Sequence, residues 1–194
     1  MAGIKTENFR KIEITKATEL EDWLHKNFQS DDSFWLVTYK KSIPDKYVSR
    51  DEVLDNLVAF GWIDGLRRKI DDNRTMQLIS KRKTQVWAAT YKNRAKQLID
   101  TNRMQAPGFE SVISAQTAGT WSAFDDVDEL EISVDLQDAL DLDPVANAFF
   151  QSSSPSYRRN ILRWLKKAKQ ITTRKRRIST IVDHCQRRTK IPNL

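Results

Sequence analysis

SRDEVLDNLVAFGWIDGLRRKIDDNRTMQLIS (49–80) runs from a helix start to the end of a hairpin, and its reading decides the fold class. Ser49-Arg50-Asp51-Glu52 has the spacing of a capping box, in which serine and glutamate each satisfy an orphan backbone amide. Val53, Leu54, Leu57, Val58 and Phe60 follow as one apolar helix face, and Gly61 is placed to stop it. Trp62–Ile70 and Thr75–Ser80 flank Asp71-Asp72-Asn73-Arg74 and read as two antiparallel strands. Gly65 inside the first strand predicts a bulge or a close backbone approach.

Upstream, Thr18-Glu19-Leu20-Glu21 again has capping-box spacing, and Leu20, Trp23, Leu24 and Phe28 share one helical stripe. Ser33–Lys40 is short, aromatic and β-branched, which predicts a strand. Downstream, Thr84 is placed to cap a long helix facing inward with Trp87, Tyr91, Ala95, Leu98 and Ile99. Pro107-Gly108 reads as a turn before a short helix that ends near Gly119. Ser133, Asp143-Pro144 and Ser154-Pro155 mark three further helix starts, and Thr172 or Thr173 a fourth. Tyr157, Ile161, Trp164, Leu165 and Ala168 fall within about one 100° arc. The expected architecture is α+β. A small antiparallel sheet with packed helices spans 1–125, and a helical C-terminal module spans 126–194.

Of 194 residues, 39% are hydrophobic and 30% charged, with six Trp and eight Phe, so the chain can close a core. No apolar run approaches the ~20 residues of a membrane span, and no secretory signal is visible. Cys185 is the only cysteine, which excludes an intrachain disulfide. A cytoplasmic location is the expectation.

The net charge of +7 conceals three blocks. Residues 1–120 sum to +4, 121–150 hold nine acids and no base, and 151–194 sum to +12. Arg158, Arg159, Arg163, Lys166 and Lys167 line the outward arc opposite the Tyr157 stripe, a candidate surface for nucleic acid or another anion. Two readings stay open. The neighbouring acids either lie against that arc and neutralise it or leave it free. The arc offers no exposed aromatics for base stacking, so nucleic-acid binding is expected to be weak and non-specific.

The search for chemistry yields no catalytic residue, no cofactor motif and no metal-ligand cluster. His25 and His184 lack partners at ligand spacing, and the five glycines are scattered rather than gathered in a phosphate loop. Two charged residues break the pattern. Asp64, between Ile63 and Gly65, is expected to pair with a strand arginine such as Arg82 or to bond backbone amides; a small cleft there is the alternative. Arg174 is in register with Ile178, Ile181 and Cys185, so it should face inward and hold a carboxylate, or else bind an anion in a cleft.

DNLVAFGWIDGLRRKIDDNR (55–74), SKRKTQVWAATYKNRAKQLIDTNRM (80–104) and SPSYRRNILRWLKKAKQITTRKRRISTIV (154–182) together resemble the YdeI/OmpD-associated, or bacteriocin-protection, family. Tyr157, Arg158, Arg159, Ala168, Lys169, Thr173, Arg174, Arg177 and Ile178 carry the C-terminal signature. The family's T-P-R-K turn and S-x-W-S stretch are altered here to Ile79-Ser80-Lys81-Arg82-Lys83 and Gln85-Val86-Trp87-Ala88. The resemblance implies a non-catalytic stress or resistance protein associated with protection against bacteriocins and cationic antimicrobial peptides. Its partner would be a protein or an envelope-associated component, and the resemblance supplies no catalytic residues.

Overall fold

The computed structural model describes residues 8–194, which divide into two compact units after Ser122. The first contains β1 (Lys11–Glu13), α1 (Ala17–Asn27), β2 (Ser33–Tyr39), α2 (Arg50–Ala59), β3 (Trp62–Lys69), β4 (Arg74–Lys81), α3 (Ala89–Asp100) and α4 (Ala106–Thr117). Its sheet has the order β1-β2-β4-β3. β2, β4 and β3 are antiparallel as expected, but β1 adds a parallel edge, so the sheet is mixed rather than purely antiparallel. Three residues are too few to show a period, which is why β1 left no sequence signal.

The capping box at Ser49 forms in full: Ser49 N donates to Glu52 Oε2 at 2.8 Å, and Glu52 N donates to Ser49 Oγ at 3.2 Å. Gly61 follows with φ +70°, the left-handed conformation that releases the chain into β3. A register shift between Asp64 and Arg67 is the bulge expected at Gly65. Trp62 is fully buried and donates its indole N–H to Phe28 O at 3.3 Å. It joins Leu20, Leu24, Phe34, Leu36 and Ile79 in the core.

Three boundaries differ from expectation. α1 begins after Lys16, and Glu19 rather than Glu21 reaches back, accepting from Thr15 N at 2.7 Å. α3 begins at Ala89, not near Thr84. Trp87 precedes it, buried, with its backbone N donating to Thr120 O at 3.1 Å. Pro107 and Gly108 lie inside the first turn of α4, where proline is tolerated because that turn's amides have no helical partner.

The second unit is helical: α5 (Asp125–Asp128), α6 (Val134–Asp141), α7 (Pro144–Ser152), α8 (Pro155–Lys166) and α9 (Ile171–Gln186). Asp143 caps α7 by accepting from Val145 N and Ala146 N, both at 3.0 Å, and Ser154 Oγ accepts from Tyr157 N. Neither Thr172 nor Thr173 caps α9, which starts after Gln170. Leu136, Leu140, Phe150, Ile161, Leu165, Ile181 and Cys185 form the core. Complete burial of a side chain such as Phe150 contributes about 2–3 kcal/mol. The Tyr157 hydroxyl accepts from Ile191 N at 2.7 Å and ties the C-terminal segment to this core.

Candidate functional site

The basic arc of α8 meets the acidic block. Arg159 Nε donates to Asp128 O at 3.1 Å, Arg163 Nη2 lies 3.4 Å from Asp128 Oδ1, and Lys166 Nζ lies 2.6 Å from Asp126. Burial opposes the charge of Asp126, but hydrogen bonds from Lys166 and the Val127 amide hold its carboxyl below the ordinary range. Arg158 stacks 5.4 Å from the Phe150 ring centroid, and Lys167 remains exposed. Three of the five arc cations are therefore engaged by residues of α5, and an open polyanion surface gains no support.

Arg174 meets Asp135 side-on. Nε lies 2.5 Å from Oδ2 and Nη2 lies 2.7 Å from Oδ1, while Nη2 also donates to Ser133 Oγ at 2.8 Å. The partner is an acid of the 121–150 block, but the expected burial is only partial, because the Arg174 side chain is 29% exposed. It is the fourth residue of α9, near the helix end, where the core tapers. The hydrogen bond from Arg174 pulls the Asp135 carboxyl down to about 2.

A carboxyl depressed in the fold contributes stability above its unfolded value near 3.8 and loses it as the pH falls toward 2. With the Asp135 side chain 46% exposed, solvent screening reduces this to about 1 kcal/mol. Arg174→Ala should therefore cost about 1–2 kcal/mol, not the several expected of a fully buried pair. Helix content followed by circular dichroism should show Asp135→Asn less stable than wild type at pH 6 and indistinguishable at pH 2. A gap that persists unchanged at pH 2 would remove the pair as its cause.

In the first unit, Asp64 and Arg82 are neighbours without an ion pair. Asp64 instead accepts a short hydrogen bond from the Tyr91 hydroxyl. Arg82, only 6% exposed, lies between two rings, with its guanidinium carbon 4.1 Å from the Trp87 centroid and 4.8 Å from that of Tyr91. Its Nη1 donates to Gln85 O at 3.4 Å, while Nε and Nη2 have no hydrogen-bond partner. Burial lowers this guanidinium to about 10, so it stays charged at neutral pH, held by the ring faces. Tyr91 is pushed up, first by burial and then by its bond to Asp64. Helical spacing links Trp87 and Tyr91 in the sequence, but nothing there sets Arg82 between their rings.

His25 packs edge-on to Phe60, and His184 Nδ1 contacts Thr189 Oγ1 at 3.1 Å. Cys185 is buried, and burial pushes its thiol up to about 11. Among the described residues, no group of three or more His, Cys, Asp or Glu could hold a metal. Among the same residues, no helix is long and apolar enough to cross a membrane.

A groove of about 680 Å³ opens between α6 and α9 in the second unit. Ala139, Leu142, Ile171, Ile178 and Val182 line it, with Asp135–Arg174 at its margin. Leu142 is 88% exposed and Ile171 75%. Both sit at element ends, where sequence periodicity does not distinguish an inward apolar residue from an outward one.

Comparison with known families gives two matches. Residues 12–111 match the model of a domain of unknown function (DUF8412), and residues 129–188 match that of the family described as bacteriocin-protection, YdeI or OmpD-associated. No curated protein and no solved structure matches the chain. The second match covers α6 through α9 and every residue of the groove. Through residues 12–111, just over half of its length, the chain belongs to the DUF8412 family, and its residues 129–188 match the model of the bacteriocin-protection, YdeI or OmpD-associated family.

Proposed function

We propose that this chain is a non-catalytic bacterial resistance protein that protects against bacteriocins or cationic antimicrobial peptides through its C-terminal unit. The family match over 129–188 carries this reading, because it covers nearly all of one compact unit with its own core. Binding rather than bond-making is the expected mode. The one thiol is buried and pushed up, and His184 beside it is turned to Thr189. A protein or envelope-associated component is the expected partner class.

The test is survival of a sensitive bacterial strain, with and without the expressed chain, across a dilution series of a bacteriocin and of a cationic antimicrobial peptide. Expression should raise the half-lethal dose severalfold. Phe150→Asp, which places a charge in the core of the second unit, should abolish that gain. Equal survival with and without the chain, at confirmed expression, would overturn the proposal.

A further inference from the structure

Strand alternation assigns Phe34, Leu36 and Ile79 to the face of the sheet that carries the core, and all three are buried. The same face continues through Thr38 and Lys40 beyond Leu36, and through Gln77 and Thr75 beyond Ile79. A core face calls for apolar residues, so a polar run at one end of it points to a use other than packing. Gln77 is only 3% exposed there, one of two polar or charged residues so deeply buried among those described. The bulge between Asp64 and Arg67 acts at the same place. In unbroken register Arg67 would oppose Met76; the shift sets it opposite Gln77, where Nη2 donates a short hydrogen bond to Gln77 Oε1. That bond occupies the amide oxygen and leaves the amide N–H groups with no acceptor among the described residues.

A cavity of about 230 Å³ opens at this end of the face. Lys40, Lys41, Arg50 and Arg67 line it, and no acid does. Among the described residues, none of these four cations is in an ion pair. Lys40 Nζ donates to two backbone carbonyls, Asp71 O at 3.2 Å and Asp72 O at 2.9 Å, and Lys41 lies over the Tyr47 ring, 5.9 Å from its centroid. The neighbouring acids are engaged elsewhere. Glu13 holds Tyr39 and Arg74, Asp71 also holds Arg74, and Asp72 holds Lys69. Asp51 and Asp55 hold Arg94, Asp64 holds Tyr91, and Glu52 closes the capping box. Asp45 is exposed on the loop and outside the lining. Four uncompensated cations around one small concavity create a positive potential that a bound anion relieves.

The donors and the size select the anion. A carboxylate brings one charge and two oxygens, whereas a phosphate group brings up to two charges and three oxygens, enough to engage two guanidinium forks and two ammonium groups. The Thr38 and Thr75 hydroxyls, 3.5 Å apart, add neutral partners in the same lining. The volume is below the roughly 300–1,000 Å³ of pockets that enclose a drug-sized ligand, so it takes the phosphate group and leaves any substituent outside. We propose that this cavity binds a phosphate dianion, free or as the head of a small phosphate monoester, between Arg50 and Arg67 with Lys40 and Lys41 around it. The ligand is held without any bond made or broken. This site lies in the first unit and is independent of the protective role proposed above.

The test is isothermal titration calorimetry of the purified full chain at constant ionic strength, with inorganic phosphate, ribose 5-phosphate, acetate and a short single-stranded oligonucleotide. Phosphate or its ester should bind at least about tenfold tighter than acetate, and the tighter of the two identifies the free ion or the ester as the source. Arg50→Met/Arg67→Met, at two exposed positions, should weaken that binding by about tenfold or more while helix content stays unchanged. Lys26→Met/Lys96→Met removes the same charge from exposed positions outside the cavity and should leave binding intact. Lys41→Met, on the exposed loop, should weaken it severalfold and tests the site even if the arginine pair proves necessary for folding. Equal binding of phosphate and acetate, equal losses in the two double variants, or binding indifferent to Lys41→Met would overturn the proposal. An oligonucleotide bound far more tightly than the ester, with the same dependence on Arg50 and Arg67, would make the cavity part of a nucleic-acid surface and overturn the small-ligand assignment.

Discussion

Gly108→Ala is expected to destabilise the first unit by about 3 kcal/mol, the upper range for overpacking, although the same change in most helices stabilises. Gly108 is buried in the first turn of α4, against the end of α2. A β-carbon there would lie 2.2 Å from Ala59 O and 2.4 Å from Met104 Sδ. The nearest atom is a backbone carbonyl that also accepts from Gln105 N at 3.1 Å, so no side-chain rotation relieves the clash. Helix propensity favours alanine by only about 1 kcal/mol, so the contact decides the sign. Gly119→Ala is the control. Gly119 has φ +70° with open space around it, so alanine there should cost only about 1–2 kcal/mol of left-handed strain. Five of the six tryptophans lie before Ser122, so denaturant titration by tryptophan fluorescence reports mainly on this unit. A Gly108→Ala protein as stable as wild type would show that α4 does not pack this closely on α2.

The Pro107-Gly108 pair also shows where sequence reading stops. The dipeptide reads as a turn by its local chemistry, yet proline occupies a permitted helix position and glycine serves a contact made with residue 59. Features closed within a few residues were legible: the Ser49–Glu52 box, the stop at Gly61, the bulge beside Gly65, and the caps at Asp143 and Ser154. Features that depend on a distant partner were not. β1 exists because Lys11–Glu13 aligns with Trp35–Val37, and Arg82 is held by rings that belong to different local structures.

For the candidate sites, charge was legible and geometry was not. The acidic block announced itself, and so did the need of Arg174 for a carboxylate. Which acids would face α8 depended on the path of α5, a helix of four residues with no periodic signal. The groove was invisible for a related reason. Leu142 and Ile171 end in solvent, each at an element boundary where a helical period no longer assigns a face.

Arg94→Ala should cost the first unit about 3 kcal/mol, the lower end for breaking a buried ion pair. Arg94 projects from α3 to α2. Nη1 makes a short ion pair with Asp55, and Nη2 lies 2.6 Å from Asp51 Oδ1. The Arg94 and Asp55 side chains are only 15% and 16% exposed. Burial works against the Arg94 charge, yet the hydrogen bonds to Asp55 and Asp51 outweigh it and raise its pKa. Removing the guanidinium strands Asp55 with Arg103 alone, 3.3 Å away and largely solvated. The same helix carries Tyr91, so loosening α3 also withdraws one ring from Arg82. Arg94→Met/Asp55→Leu separates the two parts of the cost. If the loss comes mainly from the stranded carboxylate, the double variant should recover at least half of it, because no buried charge is left unpaired. Fluorescence-monitored denaturation of wild type, both single variants and the double variant supplies the cycle. Losses that simply add would mean that α2 and α3 are held by packing alone, and that the ion pair between them is incidental.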